Sequence, residues 1–417
     1  MRWAALSGQV AGMQVLVQGV GALTGLLLIR AMDKDEYAWF TLAASMLATL
    51  NLLADGGIST AFTSIGGRLC QSPAAFSRLL RDGVSLALRM CVLGIVLATL
   101  FFWHLFVRVG APPAVIGGLL LLSIAAVWPV ALTSLLSVAA RLHSRARQLQ
   151  MAELGGAAAR LGLTAFILYL GCGNALMVVA VTGVAFYLQA WIVWRLTLEF
   201  SRPEPSSESY QKEIGGFVRS LYANHLFFCV QGQIATWLVS WLAGIGEVAD
   251  LGALSRLAVL FSALGAPFVY LVAPSMARIQ DRRILRRRFA LAVGVSFGAT
   301  ATVLALAAWQ PSWFLWLLGS KYSNLGPELL LALASQGVGM ISGICWGLMV
   351  VRGWVRHAWL NILLSCLGYA VGASLVAVDT VAGVLKMNLL ASIPLLVWVL
   401  LRCWRELASS DETESRP

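Results

Sequence analysis

Charge is scarce in this chain. Asp, Glu, Lys and Arg together make up 12% of its 417 residues. A soluble domain carries about twice that fraction, so a water-exposed globule of this length is excluded. No polar stretch is long enough for a separate soluble domain. The alternating polar and apolar pattern of a membrane barrel is missing too. Seven cysteines lie scattered, without CxxC or Cys/His spacing, which leaves no basis for a disulfide framework or a metal site. No catalytic constellation and no cofactor motif stands out.

What the chain has instead is apolar sequence: 59% hydrophobic residues and a mean hydropathy of +0.81. Apolar runs of about 20 residues recur from end to end, the mark of transmembrane helices. Lipid cannot satisfy backbone polar groups, so these runs must be helical. Twelve spans are expected: 7–29, 38–64, 83–107, 114–140, 152–170, 175–196, 215–241, 250–275, 289–308, 327–350, 358–378 and 381–402. The first, after MRW, is too long for a signal peptide and carries Gln9, Gln14 and Gln18, so it reads as an uncleaved span.

The net charge of +11 invites a nucleic-acid reading, but its placement argues otherwise. Alternating the loops between two sides, and counting Arg195 and Arg402 at the span ends with them, puts 21 of the 30 Lys and Arg on one side. The other side holds Arg30, Lys34, Arg108 and Lys321, and Arg89, Arg160, Arg219, Arg256 and Lys386 fall inside spans. This asymmetry puts both termini in the cytoplasm. Basic charge here sets orientation, and nucleic acid is not an expected partner. Most tryptophans, Trp39, Trp103, Trp241, Trp309, Trp313 and Trp404 among them, fall at span ends, where an aromatic belt belongs. The cluster RIQDRRILRRR (278–288) fits orientation, or attraction to anionic lipid headgroups. His104, His143 and His357 carry no recognisable role.

The longest cytoplasmic connection, TLEFSRPEPSSESYQKEIGG (197–216), divides six spans from six. The expected organisation is a bundle at 1–196, a linker at 197–214, a second bundle at 215–402 and a tail at 403–417. A shift of 211 residues lays EYAWFTLAASML over EVADLGALSRLA, each following a short acidic loop, which supports an internal repeat. The first and seventh spans are unusually polar. Ser7, Gln14, Gln18, Gly21 and Gly25 share one helical face. Ser220, Asn224 and Gln231 share another, with His225 and Gln233 beside it. Such amides either bond neighbouring helices or line a hydrated lumen. Their occurrence in two equivalent spans favours the lumen.

One stretch is out of place. NLLADGGIST (51–60) sets a carboxylate and two glycines inside an apolar run. Gly56 and Gly57 would loosen the helix, and Asp55 has two uses. Either it caps a helix end through local amides, or it forms a gate or coupling group that changes partner. The five in-span cations divide similarly. Arg89 and Arg219 lie near an interface and can snorkel. Arg160 pairs with Glu153 on one face, and Lys386 with Asp379. Arg256 lies about 10 Å into its span.

The stretch LIRAMDKDEYAWFTLAASMLATLNLLADGGISTAF resembles the opening of bacterial polysaccharide flippases of the multidrug/oligosaccharidyl-lipid/polysaccharide (MOP) exporter superfamily. An Arg ends the first span, an acidic-aromatic-small turn begins the second, and an aspartate-glycine pair closes it. GEVADLGALSRLAVLFSALGAPFVYLVAPSMARI resembles the region of spans seven and eight. The resemblance implies two six-helix bundles forming a V around a central cavity that opens to each side of a bacterial inner membrane in turn. It implies an oligosaccharide on a polyprenyl diphosphate as cargo, membrane lipids as surroundings and a polymerase/chain-length complex as partner. A charged headgroup at the bilayer centre costs from a few to over ten kcal/mol, by roughly the spread of methods. Cations and amides must therefore line its passage. The candidates are Gln14, Gln18, Arg30, Asn224, His225, Gln231 and Arg256, with Asp55, Gly56 and Gly57 as gate or coupling group. No metal or cofactor is expected.

Two other transport readings share this fold: a cation-coupled exporter of small cationic drugs, and a flippase of peptidoglycan precursor. Intramembrane carboxylates would favour the exporter, but in-span cations outnumber acids here. A major-facilitator transporter needs a Gly/Asp/Arg signature after span two, and GGRLCQSPAAFSRLLRD lacks it. An enzyme such as a glycosyltransferase would need a large outer loop, and the outer loops are short.

Overall fold

The computed structural model describes residues 2–200, 209–268, 281–352 and 359–408, together with Val272, Met276, Ile279 and Trp354. Outside the described residues lie most of 269–275 in the span expected at 250–275, linker residues 201–208, Arg278, His357 and the tail from 409. The described residues form α1 (Arg2–Ala31), α2 (Lys34–Asp55), α3 (Ile58–Leu69), α4 (Pro73–Arg108), α5 (Pro113–Leu142), α6 (Ala146–Tyr169) and α7 (Ala175–Thr197). After the linker come α8 (Gln211–Leu242), α9 (Ile245–Arg256), α10 (Ala258–Pro267), α11 (Arg282–Trp309), α12 (Pro311–Leu318), α13 (Gly326–Arg352), α14 (Trp359–Leu375) and α15 (Val381–Ala408).

Among the described residues, ten helices are long and apolar enough to cross a membrane. Trp359–Leu375 is apolar but shorter, and the 32-residue α8 is too polar to count among the ten. Two expected spans are not continuous. The second, 38–64, breaks at Gly56–Gly57 into α2 and α3. The eighth is interrupted at Leu257, between α9 and α10. The third begins at Pro73, ten residues before the expected start, because proline suits a first helical turn, where its missing N–H has no acceptor to lose.

The chain divides into two compact units, Leu23–Ala249 and Met1–Ala22 with Asp250–Pro417. In the first, α2 is the hub, packed against α4, α5, α7 and α8. Tyr37, Leu42, Met46 and Leu50 along it are fully buried. Lipid is as apolar as leucine, so between these helices close packing and hydrogen bonds supply the attraction. Pro129 inside α5 shows how a lost bond is made good. It has no N–H to give Ala125 O, and the Tyr187 hydroxyl of α7 donates there instead at 2.9 Å. Glu36 of α2 likewise accepts from the first amide of α7, Ala175 N, at 2.6 Å. Below the break, α3 lies among α4, α5 and α8, with Phe62 edge-on to Phe76 at 5.5 Å.

In the second unit α13 packs against α11 and α15, and α14 against α15. Its core includes Phe289, Ile344, Leu348, Val399 and Cys403. Gly368 and Gly372, four apart on α14, let the α15 backbone come close. A Cβ on Gly368 would stand 2.7 Å from Ala391 Cα, and one on Gly372 2.9 Å from Met387 Cγ. This is the small-residue approach typical of membrane helices.

Candidate functional site

The break after α2 builds the first part of the site. Gly56 N still donates to Leu52 O at 3.0 Å, but Gly56 and Gly57 turn left-handed, with φ of 47° and 97°. Helix resumes at Ile58. A new helix start exposes amides with no intrahelical acceptor, and Asp55 supplies one. Its Oδ2 accepts from Gly57 N and its Oδ1 from Ser59 N, both at 3.2 Å. The Ser59 hydroxyl also donates to Oδ1, and it stands 3.4 Å from Ser134 Oγ of α5. Asp55 thus caps α3 through local amides.

The second part is α8. Ser45 Oγ donates to Gln233 Oε1 at 2.6 Å, and the Cys229 thiol reaches Thr49 O at 3.9 Å. His225 Nε2 stands 3.9 Å from Asp55 Oδ2. The Tyr222 ring lies 3.2 Å from where a Cβ on Gly56 would be, and Arg68 of α3 pairs with Glu213. Numbers fall along α8 as they rise along α2 and α3. The helix therefore runs antiparallel to both, and α3 keeps the course of α2 past the break. Tyr222, His225, Cys229 and Gln233 are spaced three and four apart, forming one stripe.

Asp82 of α4 anchors the start of α8. It is 2% exposed and accepts from Tyr210 N at 2.8 Å, Ser209 Oγ at 3.3 Å and Gln211 Nε2 at 3.3 Å. Arg78 Nε balances its charge from 3.6 Å.

The Asp55 and His225 side chains keep 19% and 28% of their exposure. At 3.9 Å they are too far apart for a hydrogen bond and near enough for an ion pair when the imidazole is protonated. In a surrounding of low dielectric such a pair is stronger than in water. The arrangement can hold the α2–α3 break against α8 in a manner that depends on the charge of either group.

The other expected residues are spread more widely. At 100° per residue, Asn224 and Gln231 lie on the side of α8 opposite the Tyr222–Gln233 stripe, and both are half-buried. His225, expected beside them, lies on the packed stripe. Arg30, at the end of α1, is exposed. Gln14, Gln18 and Arg256 belong to the unit that contains 250–417, and all three are half-buried. Gln18 lines a cavity of about 350 Å³ with Phe261, Ser262, Gln336 and Met340. Its Oε1 is enclosed and has no hydrogen-bond partner among the described residues. Arg89, Arg219 and Lys386 are exposed. No group of three His, Cys, Asp or Glu able to hold a metal occurs among the described residues.

Ser45, Ser59, Ser134, Tyr222 and Asp82 were not singled out from the sequence. Ser59 had a readable signal, four residues after an aspartate at a Gly-Gly break. Ser134 had none, and Asp82 showed only Arg78 four residues before it, because the hydroxyl facing Ser134 is 75 residues away and the donors to Asp82 at least 127.

By sequence, neither a family model nor a curated protein matches the chain. By structure, its fold is that of MATE transporters and of the lipid II flippase MurJ, and its long apolar helices make the chain a multi-pass membrane protein. It is similar to an inward-facing MATE multidrug resistance transporter of the MOP superfamily, with a TM-score of 0.71 at 13% identity over 98% of this chain and 99% of that one. It is similar to the lipid II flippase MurJ in an inward closed conformation, with a TM-score of 0.74 at 12% identity over 94% and 87%. A MATE transporter of Vibrio cholerae, VcmN, gives 0.62 at 15% identity over 98% and 99%.

Proposed function

We propose that this protein carries polyprenyl-diphosphate-linked oligosaccharide units across the bacterial cytoplasmic membrane by alternating access, for surface or exopolysaccharide synthesis. One observation carries the reading. α8 bears two polar stripes, and the one carrying Tyr222, His225, Cys229 and Gln233 faces α2 and the break after it. Asn224 and Gln231, on the other, put amide groups at bilayer depth where an apolar cargo would need none. Arg30 and Arg256 are assigned to the diphosphate, and Gln14, Gln18, Asn224 and Gln231 to the sugars. Asp55, Gly56, Gly57 and His225 are assigned to gating. The expected halves, 1–196 and 215–402 joined by 197–214, and the polymerase/chain-length partner belong to the same proposal.

Cation-coupled drug export is the second reading. It draws support from the MATE neighbours and from Asp55, a half-buried carboxylate facing an imidazole. Peptidoglycan-precursor flipping draws support from the MurJ neighbour. Proteoliposomes holding the purified chain separate the three. A fluorescent polyprenyl-diphosphate oligosaccharide should become accessible on the far leaflet, and Arg256→Ala should slow this at least tenfold. Export of a cationic dye with no glycan movement would replace the proposal with the second reading. Movement of peptidoglycan precursor alone would replace it with the third.

A further inference from the structure

The start of α11 carries five exposed arginines, Arg282, Arg283, Arg286, Arg287 and Arg288. Arg282 and Arg283, in the first helical turn, are opposed by the helix dipole. Asp281 offsets this only in part. Its carboxylate is engaged by the amides of Arg283 and Ile284 at 2.8 and 3.2 Å. At 100° per residue the five fan over all but the buried side of the helix, and two of them border an exposed apolar stripe.

Leu285, Phe289, Ser296 and Thr300 form the buried side of α11. The opposite side is an apolar stripe: Ile284 is 47% exposed, Leu291 66%, Val295 62% and, at the far end, Trp309 74%. At 100° per residue, Arg287 and Arg288 flank this stripe, one turn before Leu291. From Arg288 to Trp309 the helix rises about 32 Å, close to the roughly 30 Å thickness of bilayer hydrocarbon. With Trp309 at one interface, the two arginines stand at the headgroup level of the other. An acyl chain can lie along Leu291 and Val295 below them.

We infer that Arg287 and Arg288, with the stripe beneath them, form a binding site for an anionic phospholipid of the bilayer. The guanidinium groups take the phosphate, and Leu291 and Val295 take a tail. Charge complementarity selects the headgroup. Attachment to the stripe selects a lipid over a soluble phosphate. The inference is independent of the cargo.

The test uses full-length protein in nanodiscs of phosphatidylcholine with increasing phosphatidylglycerol, and native mass spectrometry to count retained lipid. Arg287→Gln with Arg288→Gln should lower phosphatidylglycerol retention about tenfold or more. Arg282→Gln with Arg405→Gln removes the same charge away from the stripe and should change it less than twofold. Arg287→Lys with Arg288→Lys, which keeps the charge and checks folding, should retain most of it. Equal retention in all variants overturns the inference, as does displacement of the lipid by millimolar glycerol phosphate.

Discussion

Asp55 uses a single carboxylate to cap α3 and to face His225, and the two roles respond differently to substitution. Asp55→Ala removes the acceptor for two amides and should cost about 1–2 kcal/mol. Asp55→Asn keeps one carbonyl acceptor and should cost less. Thermal unfolding in detergent, followed by tryptophan fluorescence, reads both. Combining Asp55→Asn with His225→Gln tests whether the pair acts jointly. A coupling of about 0.5 kcal/mol or more marks an interaction, and additive losses would leave Asp55 a cap alone. The two glycines should also separate. Gly57, at φ 97°, resists any side chain because of its backbone, whereas Gly56, at φ 47°, meets the Tyr222 ring at 3.2 Å. Tyr222→Leu should therefore recover the part of the stability lost in Gly56→Ala that comes from the ring contact, and recover none in Gly57→Ala.

α8 depends on contacts made far away in the chain. Asp82 receives three hydrogen bonds from residues 209–211, so Asp82→Ala should strip the anchor from the start of the helix. Hydrogen bonds to a buried charge contribute about 1.5–3 kcal/mol each. Amide exchange over 211–220 is expected to quicken at least tenfold while α5 and α7 stay protected. Equal protection throughout would show that packing on α2, α3 and α4 holds α8 without these bonds. At the α14–α15 contact, Gly368→Leu would drive a side chain into the Ala391 backbone. Overpacking of this kind costs about 1–3 kcal/mol, and folded yield should fall more than for Gly339→Leu, where a Cβ meets nothing within 4 Å. The helices themselves were readable, since hydropathy is local and most ends fall within a few residues of expectation. The break at Gly56–Gly57 was half readable, since Asp-Gly-Gly announces a loosened helix and not a new one. Which stripe of α8 packs was unreadable. Ser220, Asn224 and Gln231 looked the more coherent polar face, yet α2 receives Tyr222, His225, Cys229 and Gln233.

For the molecule as a whole, the distribution of basic residues makes a claim that labelling can check. Fusions of a fluorescent protein and of alkaline phosphatase after Ala408 should be fluorescent and phosphatase-inactive, and fusions after Cys172 should show the reverse. The opposite result would invert the orientation and exchange the sides assigned to every loop. Hydropathy and charge bias are properties of consecutive residues, so the all-helical, multi-pass character of the chain could be had from the order of its amino acids alone. The pairing of Asp55 with His225, 170 residues apart, could not, nor could the hold of Asp82 on the start of α8 or the closeness of α14 to α15. Each depends on which side of one helix meets which side of another. A helix with polar groups on opposite sides has no single inward face, and only the packed fold selects one.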